Sequence, residues 1–156
     1  MDDIGKNFIV RKAEPKDSKR IWEIRNHPSV RENSNNAEEI NFADHEAWLQ
    51  KKYFNGESNH CYVLADKEKK AVGYCRLDYA GPEDSYIVSI AIDCDYHKKG
   101  LGGYLLGESL VRLNSRKPVL AEIKKRNIAS FKLFERHGFK KYKADDLNYC
   151  LKFKKN

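Results

Sequence analysis

The sequence has no run of about 18 apolar residues, the length a membrane-crossing helix requires. It has no apolar stretch behind its acidic start, Met1-Asp2-Asp3, so a secretory signal is not expected. Cysteine is sparse. Cys61, Cys75, Cys94 and Cys150 form no CxxC pair, and their spacing fits no zinc pattern. Three of the four sit in apolar, strand-like runs, where cysteine acts as a small buried hydrophobe. These absences predict a reduced, cytoplasmic chain with no metal and no membrane contact. Internal repeats, low-complexity tracts and linkers are missing as well. A length of 156 residues fits one domain spanning residues 1–156.

What is present is a hydrophobic fraction of 40% with 12% aromatics, enough for a real core, and a net charge of +7. Such a charge favours anionic partners: nucleic acid, an anionic cofactor or a phosphate-bearing substrate. Neither an aromatic-basic RNP1 signature nor a recognition-helix pattern stands out, which sets nucleic acid aside. The lysine groups at 67–70 and 152–155 read as solvated surface.

Hydrophobic periodicity outlines the elements. Phe8 to Lys12 reads as an opening strand, and Pro15 precedes a helix through Ile21, Trp22 and Ile24 that ends at His27-Pro28. A polar loop, Asn33 to Asn36, leads to a second helix from Phe42 to Tyr53. There His45, Trp48, Leu49 and Lys52 share a face. Asn59 to Asp66 and Ala71 to Ala80 form a hairpin, and Gly81 to Asp84 makes the next turn. Ser85 to Asp93 is apolar on both sides, as in a central strand covered on two faces. A helix after Gly100 to Gly103, a strand over Val119 to Lys124, a helix over Ala129 to His137 and an alternating strand through Leu147, Tyr149, Leu151 and Phe153 complete a mixed α/β order.

The segment from Asp93 to Tyr104 leads from a strand into a helix through His97-Lys98-Lys99-Gly100-Leu101-Gly102-Gly103. A helix N-terminus offers unpaired N–H groups and partial positive charge. Glycines let the backbone approach an anion, and successive N–H groups can form a concave nest for it. A pyrophosphate would fit there. Both a Rossmann fingerprint and a P-loop Gly-Lys-Ser/Thr are lacking.

This segment resembles the coenzyme A motif of the Gcn5-related N-acetyltransferase family, Gln/Arg-x-x-Gly-x-Gly/Ala, with His97 in the Gln/Arg position. Asn127 to Phe139 resembles the second block of that family, Asn-x-x-Ala-x-x-Leu-Tyr-x-x-x-Gly-Phe, with Ser130 in the alanine position and Phe134 in the tyrosine position. The resemblance implies a mostly antiparallel sheet with a splayed central strand pair and helices on both faces. It implies acetyl-CoA as cosubstrate, without a metal, held by His97, Lys98, Lys99, Gly100, Leu101, Gly102, Gly103 and Tyr104. Ile90 and Ile92 would pair with the pantetheine arm, and Asn127 and Ser130 would complete the contacts. The implied reaction is direct transfer of acetyl to a primary amine.

The amine must lose a proton, a task for a carboxylate or a water chain. Glu122 is the first candidate and Asp78 the second, since Arg76 and Asp78 alternate on one strand side. Phe134 cannot donate the proton that the family's tyrosine supplies, which leaves water, Tyr104 or Tyr142 for that role, or a domain that binds coenzyme A without catalysis. The segment from Trp22 to Trp48 looks like the acetyltransferases acting on nucleotide-linked amino sugars of surface-glycan pathways and, more loosely, those acting on ribosomal protein N-termini. Arg25 and Arg31 would bind phosphate, Asn26 would read hydroxyls, and His45 and Trp48 would line the acceptor site. Structural roles compete: Trp22 as core, His45 packed under Trp48, Arg25 paired with Glu39 or Glu46. The expected partners are acetyl-CoA and a small amine acceptor, with a homodimer left open.

Overall fold

The computed structural model describes residues 3–155. Its centre is a seven-stranded sheet in the order β1-β2-β3-β4-β5-β7-β6. The strands are β1 (Ile9–Lys12), β2 (His60–Ala65), β3 (Ala71–Ala80), β4 (Ser85–Ile92), β5 (Val119–Lys124), β6 (Lys140–Ala144) and β7 (Asn148–Phe153). Neighbours are antiparallel except β4 and β5, which run parallel. The helices are α1 (Ile4–Asn7), α2 (Ser18–Arg25), α3 (Pro28–Arg31), α4 (Phe42–Leu49), α5 (Leu101–Leu113) and α6 (Ile128–Arg136).

Side chains alternate across a strand, so the sheet has two apolar faces and two cores. One core joins Cys75, Leu77, Val88, Ala121 and Ile123 to Leu105, Leu106 and Leu110 of α5 and Phe134 of α6. The other joins Val63, Ala71 and Tyr74 to Ile21 and Ile24 of α2 and Leu49 of α4. The doubly apolar β4 pattern predicts cover on both faces. On its second face only Ala91 packs against the core, while Ile87 is 41% exposed and Ser89 lines a cleft, because α2 and α4 cover the β1–β3 side of the sheet. The antiparallel sheet and helix order match the expected mixed α/β fold.

Three local features escaped the sequence. Strand β6 reads Lys-Lys-Tyr-Lys-Ala, every residue exposed, and so shows no alternation. It is a sheet edge, where lysines discourage pairing with other chains. Pro28 does end α2, but it also opens the short α3 from its first position, with the His27 Nδ1 accepting from the Ser29 N–H. Finally, the second helix runs as α only to Leu49 and continues as a π turn over Gln50–Phe54. That turn carries Tyr53 inward, leaving it 8% exposed.

Candidate active site

Strand β4 pairs with β3 along its whole length, from Ser85 opposite Ala80 to Ile92 opposite Gly73. On its other side it pairs with β5 only at Tyr86–Val119 and Ile87–Leu120. From Val88 onward the two strands diverge, and the β4 backbone there has no strand partner on that side. A cleft of about 120 Å³ fills the gap. Its lining includes Ser89, Ile90, Glu122, Asn127, Ser130 and Phe134, and Asn33 reaches it from the loop after α3. Val88 and Ile90 belong to the face covered by α5 and α6, whereas Ser89 and Glu122 alternate onto the opposite face. The cleft therefore communicates with both.

At the C-terminal end of β4 the chain makes a tight turn, Cys94–Tyr96, and enters α5. Lys98 and Gly100 both have positive φ, 63° and 74°, on either side of Lys99, a backbone form that can turn successive N–H groups to one side. The first turn of α5 contains no acidic residue. Lys98 and Lys99 add positive charge, and Tyr104 is half-buried one turn into the helix. The His97 Nε2 donates to the Ile92 carbonyl at 2.8 Å, so its ring folds back on the end of β4. Across the cleft, the Asn127 side-chain oxygen caps α6 by accepting from the Ser130 N–H at 3.3 Å. A free strand edge ending in an anion nest suits a long amide-bearing arm attached to a pyrophosphate.

A sequence profile of the acetyltransferase (GNAT) family matches residues 20–139. The chain belongs to the GNAT acetyltransferase family. No curated protein sequence matches it. Among solved structures, a protein provisionally designated a phosphinothricin N-acetyltransferase is 27% identical, covering 94% of this chain and 98% of its own, with a TM-score of 0.79. The yncA protein of Salmonella typhimurium, provisionally an acetyltransferase and solved with its cofactor acetyl-CoA, is 20% identical over 95% and 94% of the two chains, with a TM-score of 0.78. A ribosomal-protein-alanine N-acetyltransferase from Brucella melitensis is 22% identical over 94% and 99%, with a TM-score of 0.79. The GNAT cosubstrate is acetyl-CoA, and the splay with its glycine loop is where this chain's residues suit it.

The two candidate carboxylates of this GNAT domain stand in different settings. Glu122 is exposed on the cleft, and its charge, after burial, helps push the thiol of its cross-strand neighbour Cys150 upward. Asp78 is committed. It accepts from the Tyr53 hydroxyl at 2.5 Å and from Arg76 at 3.1 Å, and it pairs with Lys52 at 3.2 Å. Its oxygens are occupied, so the geometry leaves Glu122 the freer base. Phe134 is 4% exposed and packs edge-on against Phe139. Tyr142 lies on the edge strand β6 beneath Lys152, and neither it nor Tyr104 lines the cleft.

The residues expected at the acceptor site separate into two groups. Arg31 donates to the carbonyls of Asn26 and Ala37 and lies 3.7 Å from Glu39. Asn26 accepts from the Ile40 N–H, and Trp22 donates to the Ile40 carbonyl while packing on Phe42. These side chains fasten the loop between α3 and α4, so the structure gives Arg31 and Asn26 a scaffolding place rather than a free surface. Lys124 and Arg126 donate to the Glu32 carbonyl and join that loop to β5 across the cleft.

The second group is Arg25, His45 and Trp48, joined by Arg76. Arg25 pairs with neither Glu39 nor Glu46; it lies 4.2 Å from the Trp48 ring centre, and Arg76 lies 5.1 Å from it. His45 is fully buried. Its Nε2 faces the Ser18 carbonyl, which can only accept, so the Nδ1 lone pair accepts from Arg25 at 3.3 Å. Burial first, then the Arg25 charge, push His45 down to about 4, which keeps the ring neutral. Direct acceptor contact by His45 is corrected to support of Arg25, because a ring with no exposed surface touches only protein. Arg76 was read from the sequence only as a neighbour of Asp78. Nothing local marks it, since its ring partner Trp48 is distant in the chain.

Proposed function

We propose that this GNAT domain transfers acetyl from acetyl-CoA to the primary amine of a small acceptor carrying negative charge. A nucleotide-linked amino sugar is the acceptor favoured by the segment from Trp22 to Trp48. The observation that carries the reading is the divergence of β4 from β5 at Val88, with Glu122 on the opposite side of the cleft from the α5 and α6 helices. The bound cosubstrate supplies an activated acyl group as a thioester. Lys98 to Gly103, Tyr104, Asn127 and Ser130 hold it, and the open edge of β4 near Ile90 and Ile92 orients it. A free β4 N–H is placed to stabilise negative charge on the acyl oxygen. Glu122 takes the proton that the ammonium must lose before attack. Phe134 lines the cleft and has no proton to give, which leaves the thiolate to be protonated by water. The reading places the protein in the cytoplasm; no helix among the described residues is long and apolar enough to cross a membrane.

Two other acceptor classes are less well served. The Glu32 bridge to Lys124 and Arg126 narrows the route an extended peptide would need. Polyamines would meet the like charges of Arg25 and Arg76. An acceptor screen with acetyl-CoA and thiol detection tests the reading, using nucleotide-linked amino sugars, polyamines and short peptides. Thiol release with the nucleotide sugars is expected. Preference for peptides would move the protein to the N-terminal acetylating class, and no release with any amine would overturn the proposal.

A further inference from the structure

The side chains between α2, α4 and β3 carry more positive charge than the described residues neutralise. Arg25, Lys52 and Arg76 converge on Trp48, and the carboxylate in contact with this group is Asp78. Asp78 is already shared by Tyr53, Lys52 and Arg76. Arg25 is half-buried, has no carboxylate within ion-pair distance among the described residues, and has a neutral imidazole as its hydrogen-bond partner. The buried Nε of Arg76 has no hydrogen-bond partner there either, while its Nη1 serves both Tyr53 and Asp78. Removing a cation from water without a partner is costly, and a buried N–H without an acceptor adds to that cost. Two adjacent guanidinium groups repel besides, and burial followed by Arg76 holds Arg25 below its ordinary value.

We propose that Arg25, Trp48 and Arg76 form an oxyanion subsite that grips the acceptor by a carboxylate or phosphoryl group and presents its amine to the splay. This deepens the acetyl-transfer reading and rests on it. Guanidinium groups can pair two N–H donors with two oxygens of such an anion while lying over an aromatic ring, and both lie over Trp48 here. The position is right for an acceptor. Arg76 lies opposite Ser89 in the β3–β4 register, and Ser89 lines the cleft. Directly paired residues on antiparallel strands are about 5 Å apart and point to the same face, so the Arg76 side chain leaves β3 beside the residue that lines the cleft. The acceptor therefore carries its amine and its oxyanion on one compact skeleton. Trp48 and Lys52 also border a hollow of about 450 Å³ with Lys51 and residues 56–59, which gives room for the remainder of such a molecule. His45 is a positioning residue: donation to Ser18 fixes the tautomer that accepts from Arg25, and Arg25 is thereby aimed without being neutralised.

Two measurements test the subsite. The first needs no turnover. With saturating coenzyme A covering the glycine loop, acetate and inorganic phosphate should raise the melting temperature of the wild type saturably, and Arg25→Gln should lose most of that response. Equal responses in the two proteins would overturn the subsite even if no amine is ever acetylated. The second compares kcat/KM for paired acceptors: amino acids against their amides, and nucleotide-linked amino sugars against the free amino sugars. The anionic member of at least one pair should be preferred by about ten- to a hundredfold. Arg25→Gln should abolish the preference through the acceptor KM, with the acetyl-CoA KM unchanged, and Arg76→Lys should weaken it while keeping the charge. Preference within the amino-acid pairs identifies a carboxylate as the gripped group, and preference within the sugar pairs identifies a phosphoryl group. If neutral members serve as well as anionic ones, acetyl transfer stands and the subsite falls. If anions bind but no amine is acetylated, the subsite stands and acetyl transfer falls.

Discussion

On the proposed reading, substitution at Gly102 separates cofactor binding from folding. A Cβ added there would meet Leu133 at 3.5 Å and Ile92 at 3.9 Å, ordinary contact distances. Gly102→Ala should therefore fold with a melting temperature close to wild type. Gly102→Asp places a negative charge in the anion nest and should abolish acetyl-CoA binding in calorimetry while circular dichroism stays native. Equal affinity in wild type and the aspartate variant would remove the cofactor from this loop. Glu122 is tested by rate. Loss of a positioned general base costs roughly a hundredfold or more. Glu122→Gln should lower kcat by that order with little change in either KM, and the loss should grow at low pH, where more of the amine is protonated. Full kcat across pH would hand the proton to a water chain or to Asp78, despite the three donors that Asp78 already accepts.

At the scale of elements, the loop between α3 and α4 is a roof tied at both ends. Arg31, Asn26 and Trp22 tie it to α2, and Lys124 and Arg126 tie it to β5. Arg31→Ala removes donors to two carbonyls and should raise the acceptor KM because the roof loosens. Amide exchange across residues 32–40 should quicken in the same variant, and the acetyl-CoA KM should hold. A raised acceptor KM with unchanged exchange would instead make Arg31 a direct ligand, as the sequence motif alone suggests. The π turn after α4 has a similar positioning effect. One extra residue in the turn swings Tyr53 toward Asp78, and burial pushes the Tyr53 hydroxyl up so that it remains a donor. Asp78 is thereby held against Arg76.

At the scale of the whole molecule, His45 couples the second core to pH. Its ring stays neutral down to about 4 in the folded protein, whereas an unfolded histidine takes a proton near 6.5. Between those values the unfolded chain binds a proton that the native state refuses. Stability is complete above about pH 6.5 and falls as pH drops toward 4, by at most about 1.4 kcal/mol per pH unit for this one group. His45→Gln can keep both hydrogen bonds, donating to Ser18 and accepting from Arg25, yet cannot titrate. Denaturant melts of the two proteins should diverge below pH 6.5, with the wild type losing stability faster. Parallel curves would mean that His45 is not held neutral.

The local code of this chain was open to reading without coordinates. Apolar runs bounded by turn residues marked β2, β3 and β4, and two-residue alternation marked β7, because strand side chains face opposite ways in turn. The glycines after β4 and the Asn127 to Phe139 block marked the start of α5, proposed to hold the cofactor, and α6, because turns, caps and helix stops are set by neighbours within a few residues. The acceptor side was readable only as a set of residue types. Arg25 and Arg31 look alike in sequence, each a cation near asparagines. Tertiary packing ties Arg31 into a loop through backbone carbonyls and leaves Arg25 of α2 beside a neutral His45, over Trp48, next to an arginine from strand β3. Strand β6 likewise exists only because β7 offers it a backbone edge. Backbone conformation responds to short-range sterics and solvent periodicity, which a linear pattern records. The partner a buried charge finds depends on which distant segments the closed sheet brings beside it, and only the folded chain decides that.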